Sequence, residues 1–145
     1  MDAFPFDSES PKQRNQRWDV ECSDQQFLEL MHDLRGHGGM LPIEETRAIS
    51  YVYNPGISVS ALLMQSMLFS VLWRRQHWMP CFQFSPVTWL PIPAISSLVQ
   101  QLKPAMGSVE LAMWFKTSHP LISGKSPLEL FNNDKERVQK YAAHS

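Results

Sequence analysis

Along most of this chain the apolar residues recur every three or four positions, as expected of helices with one buried face. Ser23-Asp24-Gln25-Gln26 is a capping-box sequence opening a helix with Phe27, Leu28, Met31 and Leu34 at helical spacing, and Gly36 supplies a stop. His37-Gly38-Gly39 reads as a flexible turn. A second helix covers residues 43–53, entered at Pro42, with Ile43, Ala48 and Val52 on one side and Asn54-Pro55-Gly56 as its end. Ser58 then caps a short helix from residue 59 to about residue 67, dominated by Leu62, Leu63 and Met67.

Here the period changes to two. Residues 69–73 and 78–84 are β-prone runs on either side of Arg74-Arg75-Gln76-His77, which predicts a hairpin with an exposed basic tip. Pro80 cannot donate to a ladder, so it predicts an edge or bulged strand. A Pro-rich passage follows, then a helix striped by Ile95, Leu98, Val99 and Leu102 and stopped by Pro104. Ser108 is the expected cap of the next helix, which carries Leu111, Ala112, Trp114 and Phe115. Ser126 as N-cap, Pro127 at N1 and Glu129 at N3 start another helix after a Pro- and Gly-shaped turn. Asn133-Asp134-Lys135-Glu136 is a capping box for the last one, with Val138 and Tyr141 on its face.

The elements predict a mainly α fold with a small β-hairpin. Helix, tight turn, short helix and basic-tipped hairpin follow one another in residues 18–90, the layout of a helix-turn-helix-like segment with the hairpin as a wing. Residues 91–145 form a C-terminal helical unit. Residues 1–17 are polar and without period, expected to be disordered or loosely attached; Phe4 and Phe6 are the exceptions.

Charge changes the picture more than composition does. The 145 residues carry a net charge of −1, but residues 1–45 hold ten acids and four bases, a net of −6. Residues 46–109 hold no Asp or Glu and only Arg47, Arg74, Arg75 and Lys103. A stretch without carboxylates presents little repulsion to a polyanion. In the winged layout Ser58, Ser60 and Gln65 would hydrogen-bond phosphates or base edges, and Arg74, Arg75 and His77 would supply charge. The short helix lacks the Arg, Lys or Asn that a reading helix usually carries. Two cysteines cannot form a disulfide framework and no signal peptide opens the chain, so a reducing, cytoplasmic setting is expected. The uncharged run of residues 48–73 is long enough for a membrane, but Asn54-Pro55-Gly56 and several serines break it, and a buried helix followed by a strand is the better reading.

Candidate chemistry is sparse. Gly124-Lys125-Ser126 resembles the end of a phosphate-binding loop, but His119 stands where the first Gly is required and Pro127 removes an amide. His77 and Cys81, four apart on a strand, are half of a zinc site with no second pair in sight. No nucleophile elbow, glycine-rich cradle or paired carboxylates stand out, so neither catalysis nor a cofactor is expected.

The stretch from Trp114 to Leu130 follows the pattern W-[LF]-x-T-x-x-P-x-L-x-G-x-x-P-L-[ED], with Trp114, Phe115, Pro120, Leu121, Gly124, Pro127 and Leu128 as its matching residues. It resembles the toxin-binding domain of the Xre/MbcA/ParS antitoxins over roughly residues 107–143. Trp78-Met79-Pro80-Cys81-Phe82-Gln83-Phe84 is similar to the W-x-P-x-F-Q-F tract of the same family. The resemblance implies a partner toxin of the RES type, which degrades NAD, and inhibition by covering its active site. The motif residues would shape the domain. Lys125, Arg137, Lys140, Tyr141, His144 and Ser145, on or near the terminal helix, would make the contacts. It also implies binding to the chain's own promoter and a homodimer, although the apolar short helix departs from the family. The competing reading is a non-catalytic phage or plasmid adaptor with neither toxin nor DNA.

Overall fold

Ser23 opens the first described helix of the computed structural model, which describes residues 20–145; the expectations for residues 1–17, with Phe4 and Phe6, lie outside the described residues. The capping box forms as the sequence requires. Ser23 Oγ accepts from Gln26 N at 3.1 Å and Gln26 Oε1 accepts from Ser23 N at 2.9 Å, starting α1 (Asp24–Asp33). Gly36 is not the stop. Leu34 caps α1, residues 35–37 make a 3-10 turn, and the left-handed residue is Gly38, at φ +94°.

Gly38 and Gly39 do turn the chain, both at positive φ, and lead into a strand the sequence did not predict, β1 (Met40–Pro42), which runs directly into α2 (Ile43–Tyr53). After α3 (Val59–Met64) come β2 (Val71–Trp73) and β3 (Gln76–Pro80). The three strands form an antiparallel sheet in the order β1-β3-β2. The strand bearing Pro80 is therefore central, contrary to the edge or bulged strand expected. Pro80 is tolerated because it is the last paired residue, opposite Met40, and the next amide, Cys81 N, donates to Gly39 O at 2.9 Å. The hairpin loop is tighter than four residues. Arg74 and Arg75 alone make it, at φ +49° and +65°, a primed two-residue turn whose twist suits the strands even without the usual glycine. The short helix ends three residues early, at Met64, where Gln65 caps it and Ser66 turns left-handed.

The remaining helices are α4 (Pro93–Leu102), α5 (Ser108–Lys116), α6 (Pro127–Phe131) and α7 (Lys135–Ala143). Two caps sit one residue from their expected place: Gly107 precedes α5, leaving Ser108 buried as its first residue, and Asp134 rather than Asn133 caps α7. The fold is thus mixed, mostly helical with a small three-stranded antiparallel sheet, and no described helix is long and apolar enough to cross a membrane.

The core ignores the sequence boundary at residue 90. Leu30 of α1, its cap Leu34, Phe69, Val71 and Phe82 share one cluster with Leu98, Val99, Leu111, Phe115, Ile122 and Val138. Val59, Leu68, Met79 and Phe84 make a smaller cluster behind the sheet. Between the two stands Gln83, a fully buried polar residue whose amide is entirely committed to hydrogen bonds within the protein.

Candidate functional site

The C-terminal unit is built around a turn that the sequence specifies residue by residue. Past α5, Thr117 Oγ1 donates to Met113 O at 2.6 Å and the chain becomes extended. His119 N donates to Lys125 O at 3.1 Å, closing a loop over a 3-10 turn at residues 120–122. His119 Nδ1 accepts from Leu121 N at 3.1 Å and so caps that turn. Ser123 and Gly124 reverse the chain, both left-handed at φ +63° and +70°. The second capping box then forms as expected. Ser126 Oγ accepts from Glu129 N at 3.1 Å and Glu129 Oε1 accepts from Ser126 N at 2.9 Å, with Pro127 at the first helical position. That backbone hydrogen bond from Ser126 lowers the Glu129 carboxyl below its ordinary value.

Most motif residues hold this unit together. Phe115, Pro127 and Leu128 are buried, and Trp114 is half-buried. Pro120, Leu121 and Gly124 are exposed, Leu121 by 70%, whereas Ile122 is 1% exposed. Counted along the pattern, the leucine position two residues after Pro120 falls on Ile122, and it is Ile122 rather than Leu121 that takes the scaffold role.

The expected contact residues divide into two groups. Tyr141 and Ser145 are engaged by the fold. The Tyr141 ring stacks on Trp114 at 5.5 Å and 12°, and lies 5.1 Å from the His119 ring. Trp114 Nε1 donates to Ser145 Oγ at 3.1 Å, and Ser145 Oγ donates to Tyr141 O at 3.0 Å. Lys125, Arg137, Lys140 and His144 are exposed. Arg137 is braced by a hydrogen bond from its guanidinium to Ser123 Oγ at 2.7 Å, tying α7 to the turn.

Lys116 was not legible as a site residue, yet it is the best-engaged cation of the unit. Its ammonium, on a side chain only 12% exposed, reaches Asp33 Oδ2 at 2.8 Å and also Glu29, clamping α5 to α1. Partial burial alone would lower the Lys116 pKa, but the hydrogen bonds to Asp33 and Glu29 outweigh it and the net direction is up. Asp33 moves down, first through its hydrogen bond from Lys116.

The residues expected to meet DNA lie on α3 and the hairpin and are largely engaged. Ser58 Oγ caps α3 by accepting from Ala61 N at 3.1 Å. Ser60 is exposed, and the backbone oxygen of Gln65 accepts from Gln100 Nε2 at 3.3 Å. Arg74 pairs with Asp24 at 3.0 Å while lying 4.7 Å over the Trp73 ring, and Arg75 N donates to Glu21 Oε2 at 2.9 Å. The basic tip is thus partly neutralised by the acidic N-terminal third of the chain. Exposed His77 shares a hydrogen bond between Nδ1 and Ser70 Oγ at 3.1 Å, whereas Cys81 is buried, its thiol pushed up to about 11 by desolvation. Among the described residues no three His, Cys, Asp or Glu side chains gather to hold a metal ion.

No family model matches the chain, and neither a curated protein nor a solved structure is significantly similar to it.

Proposed function

We propose that this chain is an antitoxin of the Xre/MbcA/ParS type whose C-terminal unit covers the active site of a RES-type, NAD-degrading toxin in the cytoplasm. The observation that carries this reading is the way the motif presents the last helix. Trp114 holds Tyr141 and Ser145, Arg137 braces Ser123, and Lys125, Lys140 and His144 are left outward on one preorganised unit. An inhibitor with no chemistry of its own needs such a rigid, solvent-facing element. On this reading Lys125, Lys140, His144 and exposed Leu121 meet the toxin, and Tyr141 and Ser145 set their positions. Pull-down of a co-expressed RES-type toxin, with the full chain and with residues 138–145 deleted, tests it. Equal capture by both removes the terminal helix from the interface.

Within the same proposal α2, α3 and the β2–β3 hairpin form the helix-turn-helix-like segment that binds the promoter, with a second copy of the chain as partner. Exposed Tyr51, Val52, Tyr53 and Met64 on α2 and α3 support a self-association surface there. The Arg74–Asp24 pair favours the competing adaptor reading, because the wing would have to give up that contact to bind phosphate. A gel shift decides between them. Promoter DNA bound by the wild type, and bound with a reduced salt slope by Arg74→Ala/Arg75→Ala, supports the wing; no retardation at low salt supports the adaptor.

A further inference from the structure

A cavity of about 530 Å³ opens between the Gly38 turn, the loop of residues 85–92 and α6. That is within the range of small-molecule sites, about 300–1,000 Å³. Four aromatic residues line it, Phe82, Phe84, Trp89 and Phe131, with aliphatic residues between them and no Asp, Glu, Lys or Arg. A wall without a permanently charged side chain disfavours ions, which would lose their hydration there. The polar side chains at the wall are few, chiefly His37 and Asn132. Such a lining selects for a neutral, flat, mostly apolar molecule with one polar edge.

The backbone around the cavity supplies a second, independent observation. Trp89 sits at φ +58°, in the left-handed region where a bulky residue is a true outlier. The loop enforces it: Trp89 N donates to Ser85 O at 2.9 Å, Ser85 N donates to Leu90 O at 2.8 Å, and the indole leans on Phe84 with centroids 4.7 Å apart. Glycine or asparagine would make the same turn without strain. Strain of this kind clusters where a binding site fixes a side chain.

We propose that this cavity binds a neutral small molecule of one or two fused aromatic rings, stacked against Trp89 and oriented by His37 or Asn132. The site is separate from the proposed toxin and DNA contacts, none of which lines it; of the C-terminal motif residues only Leu128 does, with Phe82 and Phe84 from the earlier tract. It stands whether or not a toxin is bound.

The test titrates the full chain with 2-naphthol, a neutral two-ring probe, and with naphthalene-2-sulfonate as its charged counterpart, followed by heteronuclear NMR. Saturable shifts are expected at the Trp89 indole N–H, the His37 ring and the Asn132 amide. The sulfonate should bind about tenfold more weakly or worse, since it must strip its charge of water. Trp89→Gly removes the ring and relieves the strain, so an unchanged far-UV spectrum with about a tenfold loss of 2-naphthol affinity is expected. Ile92→Phe, which fills the cavity from another wall, should abolish the shifts and serves where Trp89→Gly does not fold. Equal affinity for the two probes, shifts elsewhere on the surface, or full affinity in both variants overturns the proposal. The Phe4→Ala/Phe6→Ala chain should bind as the wild type does. Binding seen only in that chain assigns the cavity to the protein's own Phe4-Pro5-Phe6 segment and also overturns it.

Discussion

The side-chain amide of Gln83 pairs with the backbone of Phe69 as a neighbouring strand would. Gln83 Oε1 accepts from Phe69 N and Gln83 Nε2 donates to Phe69 O, both at 2.9 Å, and Nε2 also donates to Pro80 O at 3.0 Å. Phe69 enters β2 with its backbone satisfied in a place where water is excluded, and its ring is then set against Phe82 and Phe115. This accounts physically for a glutamine between two buried phenylalanines.

Gln83→Leu keeps the volume but orphans both Phe69 groups, which predicts a loss of about 2–4 kcal/mol at 25 °C. Urea denaturation of the two chains measures it. A loss below about 0.5 kcal/mol, within the range of ordinary surface substitutions, would mean the clasp is dispensable.

Acid should weaken the α1–α5 contact. The lowered Asp33 carboxyl contributes stability that is complete above its unfolded value, about 3.9, and lost as pH falls through the folded one. Asp24, held down by hydrogen bonds from Arg74 and Trp73, and Glu129 act in the same direction. Lys116 has the opposite sign: its raised value keeps its contribution intact through neutral pH, to be lost only above the ordinary lysine range. Urea midpoints should therefore fall as the pH drops from about 5 to about 2, with a shallower slope in Asp33→Asn. An identical slope in the two proteins would place the titration elsewhere.

Gly124→Ala should cost about 1 kcal/mol although a Cβ there meets nothing within 4 Å, because the penalty is the left-handed backbone at φ +70° alone. Gly36→Ala, also in open space but at ordinary φ, should be neutral or stabilising by up to about 1 kcal/mol. Thermal unfolding of the pair checks the contrast. Equal shifts would contradict it.

Trp114→Phe keeps a ring against Tyr141 while removing the hydrogen bond to Ser145. Global stability should change by about 1 kcal/mol or less, while amide exchange over residues 141–145 accelerates several-fold. Exchange unchanged in that stretch would show the last turn is held by α7 alone.

Local chemistry was the part of the fold written most clearly in the sequence. Ser23 and Ser126 cap where their neighbours three residues on dictate, and Pro127 falls at the first helical position. What depended on partners far along the chain was not legible. Residues 40–42 are too short to show a period and become a strand only because β3 lies beside them, which moved Pro80 from an expected edge to the centre. Leu121 and Ile122 are similar in hydropathy, and it is the tertiary packing that buries Ile122 and leaves Leu121 outside. At the proposed site the exposed cations were readable by type. Lys116 was missed because its partners, Glu29 and Asp33, lie more than eighty residues away.

The core that joins Leu30 and Val71 to Phe115, Ile122 and Val138 has a consequence for how the molecule is lost. Its amino-terminal and carboxy-terminal halves should have no separate melting points. Opening either one exposes the same phenylalanines, so the chain should pass from folded to unfolded in a single step. A fragment cut at residue 90 would carry half an interior, with water where the other half belongs.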